Sequence, residues 1–580
     1  MRDRPVTEGI RPSAPAAKRG RATLARGNPR GVTAPPPRSL DARLARAIFV
    51  TTFAVYLLSS GREPPWGDAN VQYMVAESLV RRAAIDIPKP WPDDLPRGRG
   101  GTFYSTYPIF TSLVQVPGLA LLEGATALSK DARGLAKPLT SHLACSAFGA
   151  LACVLFFQLC RQRRLSRRAA SAATAILAFA TTTWVYAHYS YSEIAQAAFF
   201  TGFVLHLLRV DEDPTPARAR WLGLHAGLLF STKYIYAAAI LGGAALLAWR
   251  LRRDRRLLGR LARNAAATSA PFAAAALIYN FLCWGSPIST GYHPYFETYW
   301  GEHPLVGLWG MFLSPGKSVF LYSPPLLLGL AALPRLWRDH RPACLAVLAA
   351  AAPVLAVYSR YKLNGDYAWG PRFAVFFVPA LALGFAVLLD AWLAAPVRWL
   401  RRAVLALVVA LGVAVQLLGN AFYWDHFIRI SMDARTAWLG APNRAGAIIP
   451  VRADGRCDSC FEDVHQLEWL PPFQPILGHL WLLRATLRGD DAKQAEADAP
   501  WKRHTSLALP IASSYARVRL DWWGLLWISD VPGTLIPGAA LLLLFLAAAL
   551  AGARAWLRAH RAARAGPEDA PAPALAPAAS

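Results

Sequence analysis

The sequence predicts an all-α polytopic membrane protein with about twelve transmembrane helices, extracytoplasmic loops and a small mixed C-terminal segment outside the membrane. Of its 580 residues, 54% are hydrophobic and only 17% are charged, whereas soluble proteins carry about a quarter charged residues. The hydrophobic residues are gathered into runs of about 20, the length that crosses a bilayer. Arginine-rich runs separate many of these segments, as in the cytoplasmic loops of membrane proteins.

The predicted spans follow from the length and apolarity of each segment. They lie near residues 44–60, 138–160, 168–187, 192–209, 220–233, 235–250, 264–283, 318–336, 341–358, 372–393, 401–422 and 532–556. Two of them are short and meet at Lys233, which predicts a tilted or broken hairpin, because such breaks are tolerated where the backbone is buried in protein or lines a cavity.

The segment at 107–125 is also apolar, but Pro117 and Gly118 interrupt it. Making it a full span would invert every later loop and move the arginine runs to the outer side. We therefore predict that it is a re-entrant or interfacial helix. By contrast, the stretch that begins at Asp68 has the spacing of a helix lying on a membrane surface.

The arginine runs predict the orientation of the bundle. RQRRLSRR (161–168), RLRRDRRLLGRLAR (250–263), RLWRDHR (335–341) and VRWLRR (397–402) fall on one side, which the positive-inside rule makes cytoplasmic. An even number of spans puts both termini on that side. The net charge of +26 therefore reflects topology rather than nucleic-acid binding, since no basic patch is interleaved with stacking aromatics outside a membrane context.

The domain organisation follows from shifts in composition. Residues 1–40 are rich in Arg, Pro, Ala and Gly, which predicts a disordered basic cytoplasmic tail. The predicted units after this tail are a transmembrane domain with the candidate site at 41–422, an extracytoplasmic region at 423–531, a final transmembrane helix at 532–558 and a cytoplasmic tail at 559–580. Alternation in SLALPIASSYARVRLDWW (506–523) favours a small β-containing cap in the outer region.

The cysteines divide into two groups. Five lie in or at the ends of apolar segments and are predicted to be small packing residues: Cys145, Cys153, Cys160, Cys283 and Cys344. Cys457 and Cys460 lie in the polar stretch RCDSCFED, where they could form a local disulfide, half of a metal site or a redox motif. Because no second CxxC and no thioredoxin-like pattern accompanies them, a structural disulfide in an oxidising compartment is favoured.

Ionisable residues gather at the predicted outer ends of the apolar segments, where they are costly to hold unless they serve a function. Carboxylates can take a proton from a hydroxyl, and Lys or Arg can neutralise a phosphate. This combination predicts transfer from a phosphate-activated donor, and at a bilayer surface the natural donor is a lipid phosphate. The candidate catalytic residues are Asp68 and Glu193, and the candidate substrate-binding residues are Lys233, Tyr292, Lys317, Arg360, Asp366 and Arg372.

The two carboxylates also have structural interpretations. Asp68 follows PPWG and could act only as the N-cap of the surface helix, because Asp is a favoured cap. Ser190 and Glu193 have the spacing of a capping box. Glu193 could therefore either cap a helix or bind the acceptor or a metal ion.

The cationic and aromatic candidates likewise allow two interpretations each. Instead of binding a phosphate, Lys233 could extend its amine toward the membrane interface. Arg372 could likewise serve only to anchor its helix. Lys317 follows Ser-Pro-Gly, which favours a phosphate site built with loop backbone amides. Tyr292, like His188 and His293, is more typical of structural or aromatic-belt positions than of ligands.

An ordered set of motifs resembles bacterial membrane glycosyltransferases of the GT-C type, with a mannosyltransferase- or arabinosyltransferase-like character. The motifs span about residues 44–395 and are WGDANVQYMVAESLV, FYSTYPIFTSLVQVP, TTTWVYAHYSYSEIAQAAFF, YNFLCWGSPISTGY, FLSPGKSVFLYSPPLLLGL and YAWGPRF. The resemblance implies a multi-helix fold, a polyprenyl-phosphate-linked sugar donor, an outer-face site, inverting transfer and a first-loop aspartate as general base, here Asp68. Relatives often carry paired Trp and Gly before Gly-Pro-Arg, where this chain has LNGDYAWGPR.

The resemblance and the residues together predict a function on the outer face of the bacterial inner membrane. The expected partners are a polyprenyl-phosphate-linked sugar, a saccharide, lipid or protein acceptor and membrane lipids, with no nucleic acid. The sequence contains no HExxH, GxSxG or P-loop. The cofactor is unknown, and a divalent cation is left open because one or two carboxylates and a His at unknown separation suit one only loosely.

The alternative function is a transporter or flippase of lipid-linked saccharides. Transporters usually place ionisable residues near the bilayer midplane and often consist of related halves. Here those residues gather in the predicted outer loops and no duplicated pattern is visible, which favours the enzyme.

Overall fold

A computed structural model describes residues 40–63, 67–88, 95–128, 133–188, 192–292, 300–362, 368–394, 399–438, 465–501, 512–530 and 535–565. Over these residues the fold is helical, and pairing of extended backbone is limited there to isolated bridges such as that between Phe422 and Leu520. The predicted tail at 1–40, apart from Leu40, and the pair Cys457 and Cys460 lie outside the described residues.

The α-helices of the described residues are numbered in chain order. They are α1 (Leu40–Leu58), α2 (Asp68–Arg82), α3 (Phe110–Leu113), α4 (Val116–Leu128), α5 (Arg133–Gln162), α6 (Arg167–Ala180), α7 (Thr183–Tyr186), α8 (Glu193–Glu212), α9 (Pro216–Thr232), α10 (Ala237–Arg250), α11 (Arg255–Trp284), α12 (Pro304–Phe312), α13 (Val319–Tyr322), α14 (Leu326–Ala331), α15 (Leu333–Tyr358), α16 (Val378–Leu393), α17 (Trp399–Ala421), α18 (Trp424–Trp438), α19 (His465–Trp469), α20 (Pro475–Arg488), α21 (Ala492–Ala497), α22 (Ala512–Tyr515) and α23 (Leu535–Ala565).

Within the described residues, 7 helical segments are long and apolar enough to cross a membrane. They are His142–Gln162, Glu193–Glu212, Arg255–Trp284, Leu333–Tyr358, Arg372–Leu393, Trp399–Ala421 and Leu535–Ala563. The helical membrane architecture is thus confirmed, while the count of about twelve spans stays a prediction. The predicted spans near 44–60, 168–187, 220–233 and 235–250 correspond to α1, α6, α9 and α10.

Two predicted spans are interrupted in the structure. The span at 168–187 is divided between α6 and α7. Residues 318–336 are divided among α13, α14 and the start of α15, because Pro324 and Pro325 follow α13 and proline cannot donate the backbone hydrogen bond that would continue a helix. Helix α15 then runs on to Tyr358 with a kink at His340, where φ is −136° and ψ is 37°.

The predicted break at Lys233 is present. Helix α9 ends there, with Lys233 in an extended conformation at φ −165° and ψ 133°. A 3₁₀ turn at Tyr234–Tyr236 leads into α10. The Tyr236 hydroxyl of this turn donates to Gln196 Oε1 of α8 at 2.7 Å, which ties the break to the bundle.

The first outer segment contains short helices that lie beside the bundle. Helix α2 buries Val71 and Val75 against Ile87 and Leu95, as its helical spacing predicted. Helix α4 has 13 residues and is therefore about 20 Å long, well short of the ~30 Å hydrocarbon core. It packs against α5 and α2, an arrangement in keeping with an interfacial or re-entrant helix.

Ion pairs bring the arginine-rich turns together at one end of the bundle. Arg167 of α6 contacts Asp41 of α1 at 2.7 Å, and Arg250 of α10 contacts Asp211 of α8 at 2.8 Å. The backbone amide of Ser166 donates to Asp390 of α16 at 2.9 Å. Arg163, in the turn before α6, also contacts Glu212 at the end of α8. These five helices therefore meet at an end that carries two of the arginine runs predicted to be cytoplasmic.

The described part of the outer region is helical. Helices α18 to α22 cover it, and α22 together with one isolated bridge replaces the strands that alternation in 506–523 predicted. The expected β cap is therefore wrong over residues 512–523. This region has its own core, in which Trp369 from the YAWGPRF segment packs with Phe427, Trp481 and Trp501.

The ion-paired end predicts which loops face the cytoplasm. In a C457S/C460S background, a cysteine at exposed Gly259 should resist an impermeant thiol reagent added to intact cells, because the positive-inside rule places this turn inside. A cysteine at exposed Ile288, in the opposite loop, is the matched control and should be labelled. Labelling at position 259 but not at position 288 would show that the bundle has the opposite orientation to the predicted one.

Candidate functional site

The site forms where the start of α2, the start of α8 and the turn after Gly370 meet. Arg372 lies between two carboxylates: its Nε donates to Glu193 Oε1 at 2.8 Å, and its Nη2 contacts Asp68 Oδ2. The side chains of Arg372 and Glu193 are 4% and 1% exposed, whereas that of Asp68 is 26% exposed. Asp68 is therefore the carboxylate that another molecule can reach.

Local backbone geometry holds Arg372 in this position. Gly370 has φ +71°, in the left-handed region that favours glycine, and a Cβ there would lie 2.7 Å from the Tyr322 ring. The Arg372 amide donates to the Gly370 carbonyl at 3.1 Å. The preceding Trp369 carbonyl accepts a hydrogen bond from the Tyr186 hydroxyl at 3.1 Å, so the turn is fixed on both sides.

Asp68 is the first residue of α2 rather than its cap. The N-cap is Gly67, and no side chain makes a cap hydrogen bond there, so the N-cap interpretation of Asp68 is wrong. Burial raises the pKa of Asp68, but the Arg372 guanidinium, a hydrogen bond from Tyr107 and the charge of Lys233 outweigh it and hold the pKa below its usual value of 3.8. Asp68 is thus ionised at neutral pH and is able to accept a proton.

Tyr107 is one of the polar residues at the predicted outer segment edges, but it is not among the candidate catalytic or substrate-binding residues predicted from the sequence. Burial and then the Asp68 charge raise the pKa of Tyr107 well above 10.0, so its hydroxyl stays protonated and donates to Asp68. The ring of Tyr292 meets the Tyr107 ring edge-on, with centroids 6.0 Å apart. The FYSTYPIF motif contains Tyr107, but a tyrosine at a membrane edge looks like any aromatic-belt residue in sequence.

Lys233 adds a second positive charge to the site. Its Nζ lies 4.9 Å from the ring centroid of Phe373 and 5.5 Å from that of Tyr358, within range of cation–π attraction. The Lys233 charge also acts on Asp68. The break between α9 and α10 therefore directs a cation toward the aspartate.

Glu193 holds Arg372 rather than capping α8. The N-cap of α8 is Ser192, without a side-chain cap bond, and Glu193 Oε1 accepts from Arg372. Ser190, the partner in the expected capping box, lies outside the described residues. Glu193 Oε2 has no hydrogen-bond partner among the residues that the structure describes.

The loop around Lys317 does not offer free amides. The Gly316 amide donates to the Glu468 carbonyl at 2.8 Å, the Lys317 amide donates to Ser314 Oγ at 3.1 Å, and the Ser318 amide donates to the Ser314 carbonyl at 3.3 Å. The prediction of a phosphate site built from these amides is therefore wrong. Lys317 itself is completely buried.

The remaining predicted residues are Arg360, Asp366, His188 and His293. Arg360 is exposed, and its carbonyl accepts from the amides of Gly301 and Glu302, both at 3.0 Å. Asp366 and His293 lie outside the described residues. His188 is buried, with Nε2 3.0 Å from Ser59 Oγ, and so has a structural role. Among the described residues, no group of three or more His, Cys, Asp or Glu is placed to hold a metal ion.

Comparison with known proteins returns similar solved structures. No protein-family model and no curated protein matches the chain. ArnT from Cupriavidus metallidurans bound to undecaprenyl phosphate matches 89% of this chain and 77% of its own at 16% identity and a TM-score of 0.41. The archaeal oligosaccharyltransferase AglB from Archaeoglobus fulgidus, in complex with an inhibitory peptide and a dolichol-phosphate, matches 69% of this chain and 58% of its own at 14% identity and a TM-score of 0.43.

The ArnT structure contains undecaprenyl phosphate, and the AglB structure contains a dolichol-phosphate. TM-scores of 0.41 and 0.43 make the likeness too weak to assign an activity.

The buried Arg372–Glu193 pair predicts an asymmetric effect on stability. R372A should lower the free energy of unfolding by about 3–5 kcal/mol, because it leaves a buried carboxylate without its cation. Adding E193Q to R372A should restore part of that loss. Thermal unfolding in detergent measures both, with R335A as the control because the Arg335–Asp339 pair is exposed and should contribute at most about 1 kcal/mol. Equal effects of R372A and R335A would contradict the pairing.

Proposed function

We propose that the protein is a membrane glycosyltransferase that moves a sugar from a polyprenyl-phosphate donor to a glycan, lipid or protein acceptor. The proposal rests on one observation: an ionised, partly exposed Asp68 lies at the end of an apolar helix bundle, next to the cations Arg372 and Lys233. A carboxylate of this kind can act on a hydroxyl, while the cations suit a phosphate whose lipid tail stays in the bilayer.

In the proposed reaction, Asp68 accepts the proton of the acceptor hydroxyl. The hydroxyl oxygen attacks the anomeric carbon of the sugar as the bond from that carbon to the phosphate oxygen breaks. The electron pair of this bond leaves with the polyprenyl phosphate, whose negative charge the nearby cations stabilise. Attack opposite to the leaving group inverts the anomeric configuration. The proton ends on Asp68 and passes to water after release of the product.

The cations and tyrosines have separate proposed roles. Arg372 is shared by two carboxylates, and Lys233 is proposed to contribute a second positive charge toward the phosphate. Tyr107 orients Asp68 by its hydrogen bond, and Tyr292 packs behind it. Glu193 is proposed to act through Arg372. Arg360 and Asp366 remain proposed contacts for more distant parts of the donor or acceptor, whereas the complete burial of Lys317 does not favour such a contact.

The proposed location is the bacterial inner membrane, with the site on the periplasmic or exterior face. The opposite end of the bundle carries the arginine-rich turns, which favours this orientation. The transporter alternative is less favoured, since Asp68, Glu193 and Arg372 cluster at helix starts or in a turn at one end of the bundle rather than midway along the helices.

D68N is predicted to abolish most sugar transfer. Without a proton acceptor the rate should fall about 100- to 10,000-fold, while thermal stability and donor binding change little, because Asn keeps the shape of Asp and Glu193 still pairs with Arg372. The assay uses purified protein in lipid and a panel of polyprenyl-phosphate sugars, including undecaprenyl-phosphate donors. D86N is the matched control, since Asp86 makes a surface pair with Arg82 beyond the end of α2.

Two results would overturn the catalytic assignment or the class. Near-normal transfer by D68N would move the general base to another residue. If no donor in the panel supports transfer and the wild-type protein instead moves a lipid-linked sugar across the bilayer, the flippase alternative holds.

The two carboxylates of the site are the candidate ligands for a divalent cation, which the sequence left open. Asp68 and Glu193 are the carboxylates that could hold one, but Arg372 already lies between them and Lys233 adds a second positive charge. The described residues therefore balance their charges internally and fit a divalent cation poorly.

We accordingly expect transfer to persist in excess EDTA. The measurement is the initial rate with and without the chelator. Loss of activity that Mg²⁺ or Mn²⁺ restores would show that Asp366 or another residue completes a metal site.

A further inference from the structure

The outer region meets the outer end of α1 through a short segment at 520–523. Helix α1 ends at Leu58, and the last carbonyls of a helix have no partner within it. Trp522 Nε1 donates to the Leu58 carbonyl at 2.8 Å, Trp523 Nε1 donates to the Leu57 carbonyl at 3.0 Å, and the Trp523 amide donates to the Ser60 carbonyl at 3.0 Å. The segment therefore caps α1 from a site more than 450 positions away in sequence.

Asp521 extends this contact to the loop that leads to Asp68. Its Oδ1 accepts hydrogen bonds from the backbone amides of Arg62 at 2.6 Å and Glu63 at 3.1 Å. The backbone amide of Asp521 donates to the Ala421 carbonyl at the end of α17 at 2.9 Å. Asp521 is only 4% exposed, so its carboxylate is committed to these contacts.

Two further observations show that the fit around Asp521 is close. A Cβ at Gly61 would lie 2.4 Å from Asp521 Oδ2, so the loop passes directly against the carboxylate. Beside it, Arg519 Nε donates to Glu63 Oε1 at 2.9 Å. The loop is thus held by two residues of the same outer segment, Asp521 through the loop backbone and Arg519 through the Glu63 side chain.

We infer that Asp521 is a positioning residue for the proposed transfer reaction, because it holds the backbone amides of Arg62 and Glu63 shortly before the helix that begins at Asp68. Glu63 precedes Asp68 by only five positions, and the inference is that a shift of the backbone at Glu63 changes the position of Asp68. A misplacement of about 1 Å can cost a reaction about 100-fold. The inference rests on the proposed function and assigns a task to the outer region, which contributes no candidate catalytic residue among those described.

The test compares three variants of the full-length protein in lipid. D521A removes the acceptor of both amides and should lower kcat for sugar transfer roughly 10- to 100-fold, with the KM for donor nearly unchanged. D521N keeps an oxygen at the Oδ1 position and should recover most of the kcat. W522F removes the hydrogen bond to Leu58 but leaves Asp521 in place; it should lower thermal stability with little change in kcat.

Hydrogen exchange of the peptide that covers residues 57–67 gives a readout independent of activity. Faster exchange in D521A, but not in D521N, is expected at the amides of Arg62 and Glu63. If D521A does not fold, D521S replaces it, because a serine hydroxyl is too short to accept from both amides.

The outcomes separate the inference from the proposed function. Wild-type kcat in D521A or D521S overturns the inference, as does a loss of kcat in W522F equal to that in D521A, since stability alone would then explain both. Absence of transfer in the wild-type protein overturns the proposed function, and with it the catalytic meaning of Asp521, while the exchange pattern still reports whether Asp521 holds the loop.

Discussion

The buried guanidinium of Arg372 is the constraint on which the candidate site depends. Taking a charge out of water costs several kcal/mol, and the cost is recovered only when a partner of opposite charge lies close in good geometry. Arg372 has two such partners, Glu193 at the start of α8 and Asp68 at the start of α2. The left-handed turn at Gly370 delivers the arginine to them. The Arg372 charge thus holds three distant parts of the chain together. A packing that moves Arg372 away from Glu193 leaves a buried charge without its partner.

The two carboxylates therefore differ in exposure and in proposed role. Glu193 is almost fully buried and holds Arg372, while Asp68 keeps part of its side chain open to another molecule. The same positive charges lower the pKa of Asp68 against the effect of burial. A lower pKa keeps the aspartate ionised but also makes it a weaker base. Its proposed use as a base therefore depends on its position next to the hydroxyl rather than on basicity, so the residues that place Asp68 bear directly on the proposed reaction.

Sequence patterns predicted the features that are local in the chain. Hydrophobic runs indicated the long helices, and the polar interruption at Lys233 indicated the break between α9 and α10. The pairing of Arg372 with Glu193 joins residues 179 positions apart, and periodicity reports which face of its own helix a residue occupies, not which residue it meets. For the same reason, the sequence could not show that the Glu468 carbonyl takes the Gly316 amide. The alternation at 506–523 predicted strands. In the structure, the indole N–H groups of Trp522 and Trp523 instead donate to the last carbonyls of α1.

The outer region acquires its place in the molecule from these cap contacts. A helix that ends at a membrane surface leaves carbonyls that water or another part of the chain must satisfy. In α1 the tryptophans supply those donors, and Asp521 then accepts from the two amides that follow. The segment at 520–523 thus donates hydrogen bonds to three carbonyls of the backbone at 57–63 and accepts hydrogen bonds from two of its amides. On its other side, Trp369 anchors the same outer region to the turn that carries Arg372. The described residues of the outer region therefore contact both the loop before α2 and the turn before Arg372, which is why we infer a positioning role for this region.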